Sequence, residues 1–111
     1  MRTRVTGAVA LAAFLLGAGA AAALTPAEQR GFVFVQTNCA QCHAVGRFGA
    51  SPLAIAPPFR TLHESYPVED LAEALAEGIV VGHPTMPQFQ LDPAQIDDVI
   101  AYLRTLETAA K

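Results

Sequence analysis

The chain has 111 residues, seven of them basic and ten acidic, with a formal net charge of −3 and 52% hydrophobic residues. That length holds one small domain and excludes a multidomain enzyme. Beyond residue 23 only Arg30, Arg47, Arg60, Arg104 and Lys111 are basic against all ten acids, a net charge of −5, which argues against nucleic acid as a partner.

Residues 1–23 carry Arg2 and Arg4, then an uncharged apolar run, then Ala18-Gly19-Ala20-Ala21-Ala22-Ala23. This is the layout of a secretory signal, and it predicts cleavage after Ala23 and a working domain over residues 24–111. An uncleaved anchor is the competing reading, because residues 5–23 nearly reach the ~20 that a bilayer span requires. Either way the protein is expected outside the cytoplasmic membrane, in a bacterial-type periplasm. Contact with the membrane itself is expected only through partners or an uncleaved N-terminus.

Thr25-Pro26-Ala27-Glu28 reads as a capping box with Pro at the first helical position. It opens a helix through Phe32, Val33, Phe34 and Val35, whose β-branched content requires tertiary packing to hold it. The helix leads into Cys39-Ala40-Gln41-Cys42-His43, the C-x-x-C-H pattern of covalent c-type haem attachment. Two thiols at this spacing can add to the two vinyl groups of one porphyrin, and the following imidazole projects towards the iron. The same cysteines could instead form a thioredoxin-like dithiol or half of a zinc site. The first wants a βαβ context that the helix-and-loop pattern lacks, and the second would have to borrow His63 and His83, which form no close second pair.

Residues 44–66 contain Gly46, Gly49, Pro52, Pro57 and Pro58. So long an irregular segment needs something to wrap, and a haem supplies that surface. Arg47 and Arg60 are each either a partner for haem propionates or a solvated loop cation. Residues 67–78 read as a middle helix with Leu71 and Leu75 inward, Glu69, Asp70, Glu73 and Glu77 on a solvated face, and Gly78 as its stop.

Met86 follows in Gly82-His83-Pro84-Thr85-Met86-Pro87-Gln88-Phe89, where flanking prolines restrict a thioether that otherwise fills core gaps. It is the expected second axial ligand, with His83 and then His63 as competitors. Thioether raises the reduction potential, while imidazole favours ferric iron. Asp92-Pro93-Ala94-Gln95 caps a last helix whose Ile96, Val99, Ile100, Leu103 and Leu106 form one apolar stripe.

Over residues 24–111 the chain resembles the class I c-type cytochromes, small monohaem electron carriers. The resemblance rests on the C-x-x-C-H segment, Ala56-Pro57-Pro58-Phe59, Met86-Pro87-Gln88-Phe89 and Asp98-Val99-Ile100-Ala101-Tyr102-Leu103. It implies an all-α, cytochrome c-like fold, with three principal helices and long loops around one haem c held through Cys39 and Cys42. It also implies a crossing of the first and last helices at Gly31 and Val35 against Val99 and Tyr102, with Val35 standing where the family usually has an aromatic. The carbonyl of Pro57 is implied as acceptor for the His43 ring N–H.

With His43 and Met86 as metal ligands the iron is saturated, so the expected role is single-electron transfer between redox proteins, without catalytic residues or substrate turnover. The alternatives are a haem sensor or peroxidase-like protein in which Met86 dissociates, and a dithiol redox protein. Ala40, Gln41, Ala44, Val45, Pro84, Thr85, Pro87 and Gln88 flank the ligands and are uncharged, which makes them the expected docking rim. The acidic charge predicts donors and acceptors, such as a dehydrogenase, oxidase or reductase, with a basic docking surface.

Overall fold

The computed structural model describes residues 7–12, 23–79 and 85–108. Most of the expected signal, together with His83, Pro84 and Lys111, therefore lies outside the described residues. Helix α1 spans Pro26–Asn38, α2 Leu71–Glu77 and α3 Pro93–Thr105, with 3-10 helices at Phe59–Glu64 and Val68–Asp70. The described residues contain no strand.

Both long helices start where their local chemistry dictates. The Thr25 hydroxyl accepts the Glu28 N–H at 3.2 Å and the Glu28 carboxylate accepts the Thr25 N–H at 2.8 Å. Asp92 and Gln95 exchange the same pair of bonds at 2.9 and 3.2 Å. Each box satisfies two backbone donors that the first turn leaves without intrahelical partners. Helix α2 stops at Gly78, whose φ of +98° lies in the left-handed region where side chains with a Cβ are strained.

Helices α1 and α3 cross in contact. Gly31 abuts the Asp98 backbone and the Tyr102 Cβ, and Val35 and Val99 lie in the shared core. The aromatic contact at this crossing comes from Phe32, whose ring centroid is 5.4 Å from that of Tyr102. The outer edge is clamped by Arg30, which makes a forked pair of bonds to Asp98 at 2.9 and 3.0 Å. Ile96, Val99, Leu103 and Leu106 of the predicted stripe are buried with Tyr102, while Ile100 is half-buried. Val35, Val68 and Leu106 are buried almost completely, and each such side chain contributes about 1.5–3 kcal/mol over its exposed state.

Three features differ from expectation. The middle helix expected over residues 67–78 is α-helical only over Leu71–Glu77, with a 3-10 turn at Val68–Asp70 before it. The loop over residues 44–66 contains the helical turns of Phe59–Glu64, directly after Pro57 and Pro58. On the acidic face, Glu69 is not simply solvated: its carboxylate accepts from Arg104 Nε at 2.6 Å, fastening Val68–Asp70 to α3.

Candidate cofactor site

The last turn of α1 is finished by its own side chains. Thr37 Oγ1 donates to the Val33 carbonyl at 2.7 Å and Asn38 Nδ2 to the Phe34 carbonyl at 2.8 Å. Cys39 caps the helix, and its carbonyl then accepts the N–H groups of Cys42 at 3.2 Å and His43 at 3.0 Å. The chain thereby makes one further tight turn, and both cysteines and His43 line the same cavity. The two thiols are not joined and are half-buried.

His43 is held from two sides. Its Nδ1 lies 2.8 Å from the Pro57 carbonyl, and its ring centroid is 4.8 Å from that of Phe59. A carbonyl oxygen can only accept, so Nδ1 carries the proton and Nε2 keeps its lone pair for a metal.

The cavity beside this turn, of about 130 Å³, is lined by Cys39, Cys42 and His43, and also by Met86 and Phe89. It adjoins a larger one of about 280 Å³, also reached by Cys39, His43, Phe59, Met86 and Phe89. The larger cavity continues past Leu62, Leu71, Leu75 and Ile79 to the buried Val99 and Leu103 of α3. No charged side chain among the described residues lines either space. Met86 is half-buried, and the strand of chain after it is anchored where the Leu91 N–H donates to the Leu75 carbonyl at 2.9 Å.

The other expected residues fall elsewhere. His63 lies on the 3-10 helix Phe59–Glu64 and lines neither cavity, and His83 is outside the described residues. Arg47 lines a surface groove with Phe32, Phe48 and Tyr102, and Arg60 donates to the Gly49 carbonyl at 2.8 Å. Val45 does not belong to an exposed docking rim: it is buried at 6% exposure among the core side chains. Its neighbours Ala40 and Ala44 are half-buried, whereas Gln41, Thr85, Pro87 and Gln88 are exposed.

The donor set and its surroundings suit a flat apolar macrocycle with a metal at its centre: two thiols, one oriented imidazole, one thioether and uncharged apolar walls. Burial pushes the Cys39 thiol up to about 11, the reverse of the lowered value that makes a dithiol reactive. Among the described residues no three His, Cys, Asp or Glu side chains gather as a zinc site would need.

The family model for cytochrome c matches residues 28–107. The chain belongs to the cytochrome c family. Neither the curated proteins nor the solved structures yield a match. Membership makes this cytochrome a haem-binding electron carrier with an all-α fold, and its cysteine pair has the spacing of the family's covalent haem c. No helix among its described residues is long and apolar enough to cross a membrane.

Sequence reasoning named Phe59, Tyr102 and Val45 but missed two contacts through which they shape the site of this cytochrome. Phe59, which packs on His43, carried a signal in its place after Pro57 and Pro58. The bond from Tyr102 to Val45 carried none, because the partners are 57 residues apart.

Proposed function

We propose that this cytochrome is an exported single-electron carrier with haem c bonded to Cys39 and Cys42, and with His43 and Met86 as the axial ligands. The observation that supports the reading best is the convergence of these four side chains on one apolar cavity, with His43 Nδ1 already committed to Pro57. Haem supplies reversible exchange of one electron between ferric and ferrous iron. The protein's part is to hold that exchange still. Pro57 orients the imidazole and strengthens it as a donor, and the Leu91–Leu75 bond restrains the segment that carries Met86. The apolar side chains of Leu62, Leu71, Leu75 and Leu103 line the larger cavity and would limit water around the bound group. With His43 and Met86 both holding the iron, the bound group would offer no position to a substrate.

The partners are redox proteins that present basic surfaces to a domain of net charge −5, and they dock over uncharged Gln41, Thr85, Pro87 and Gln88. Such a contact is brief and small, at or below ~1,200 Å².

The test is a visible spectrum of the protein produced by an exporting, haem-attaching host, oxidised and reduced, together with its intact mass. The reading expects the mass of one attached haem on a chain beginning at Leu24, and a low-spin six-coordinate spectrum in both states. A five-coordinate spectrum with rapid CO binding would replace it with a sensor or peroxidase-like role. A colourless protein with alkylatable cysteines would replace it with dithiol chemistry.

A further inference from the structure

Tyr102 is fixed along its whole length. Gly31 leaves room for α1 to lie against its Cβ, Phe32 packs on its ring at 5.4 Å, and its hydroxyl donates to the Val45 carbonyl at 2.5 Å in a buried bond. Burial holds the phenol above its ordinary pKa, with Arg47 pulling the other way, so the hydroxyl stays a donor at neutral pH.

Val45 follows His43 by two residues, and the backbone between them is pinned from the neighbouring loop. Ala44 N–H donates to Ser51 Oγ at 3.0 Å, and the Ala44 carbonyl accepts the Phe59 N–H at 2.9 Å. Those bonds join one part of the loop to another. Among the hydrogen bonds of the described residues, the one from Tyr102 fastens this segment to α3.

We propose that Tyr102 is a positioning residue for His43: its hydroxyl fixes the segment that follows His43 relative to α3 and so keeps Nδ1–H aligned on the Pro57 carbonyl. The inference rests on His43 being the haem ligand. Without the hydroxyl, the Val45 carbonyl is left buried and unpaired, which drives the segment to shift. The Ala44–Phe59 bond carries that shift towards both sides of the His43–Pro57 contact, while among the hydrogen bonds of the described residues the one that reaches α3 is on the His43 side. A weaker Nδ1–H bond makes Nε2 a poorer donor and disfavours ferric iron.

The experiment compares Tyr102→Phe with the wild-type holoprotein, using Ile96→Val as a variant that loosens the α3 core without touching the loop. Tyr102→Phe is expected to raise the reduction potential. It should also speed solvent exchange of the His43 Nδ1 proton at least about tenfold, read by NMR in the reduced state. Ile96→Val should lower the unfolding midpoint and move neither readout. A Tyr102→Phe protein that is merely less stable, with potential and exchange at wild-type values, overturns the proposal. Should that variant fail to mature, 3-fluorotyrosine incorporated at position 102 keeps the ring and alters the strength of the same hydroxyl donation to Val45, and unmoved readouts there overturn it equally. A wild-type protein lacking His43-ligated haem would overturn both this inference and the function it rests on, whereas a silent Tyr102→Phe in a normal holoprotein overturns this inference alone.

Discussion

Gly31 lies so close to Asp98 that a methyl group at position 31 would sit 2.0 Å from the Asp98 carbonyl oxygen and 2.8 Å from the Tyr102 Cβ. The obstacle is backbone and cannot rotate away. Gly31→Ala would gain about 1 kcal/mol in helix propensity, but α1 and α3 must then separate. A net loss of about 2 kcal/mol is expected, lowering Tm by roughly 8–16 °C in a domain of this size. Thermal unfolding of the holoprotein measures it, and an unchanged Tm would show that the crossing tolerates a Cβ.

Replacing both Cys39 and Cys42 by Ala should leave a largely unfolded chain. The larger cavity of about 280 Å³ runs along core side chains. Without the haem, the apolar walls of that space lose the surface they pack on, and a small domain has little stability to spare. Far-UV circular dichroism with a cooperative melt in the haem-free variant would contradict this.

How much of this was legible in the sequence depended on range. Thr25 with Glu28 and Asp92 with Gln95 set both long helices, because a capping box closes within one turn. Cys39, Cys42 and His43 were equally local. The 3-10 turns of Phe59–Glu64 have no apolar period and follow two prolines, so they read as loop. Val45 looked like a rim residue because it follows the haem motif, yet the tertiary bond to Tyr102 draws it inward. The aromatic contact at the helix crossing comes from Phe32, which lies one turn before the position inspected for it. Contacts of this kind are set by the crossing geometry, which no local pattern encodes.

Met86→His should keep a low-spin six-coordinate haem and lower the reduction potential, since imidazole stabilises ferric iron better than a thioether. Spectroelectrochemical titration measures the shift, and an unchanged potential would remove Met86 from the ligand set. His43→Ala should cost more, with little holoprotein recovered.

Glu69 supplies a pH dependence whose sign is determined. A backbone N–H bond within Glu69, and then the Arg104 side chain, hold its carboxyl below the ordinary 4.5. A depressed value in the folded protein adds stability that is present above the unfolded value and fades as pH falls through the folded one. Glu69→Gln should therefore lower the urea midpoint slightly at pH 7, and the difference should close as pH drops below 4.5. A difference that persists undiminished at strongly acid pH would assign the effect to something other than this carboxylate.

Charge and contact should separate in the kinetics of electron transfer. Gln88→Glu places a charge on the uncharged face beside Met86 and should slow transfer within the docked complex. Glu73→Gln, on the exposed side of α2, should mainly reduce the dependence of the association rate on salt. Stopped-flow measurements with a basic redox partner over a series of ionic strengths distinguish them. Rates indifferent to salt and to both substitutions would place docking elsewhere.

The contact of Gly31 with Asp98 also works as a clasp. It joins the two ends of the domain, so residues 39–92 form a single closed loop that contains every proposed haem ligand. Closing such a loop costs entropy that grows only with the logarithm of its length, about 0.6 kcal/mol for each doubling. Extra residues inserted near exposed Gly49 and Ala50 should therefore be tolerated, while loss of either terminal helix should release the whole circuit. Length variation in the loop could remodel the partner-facing surface while the clasp that closes the fold stays as it is.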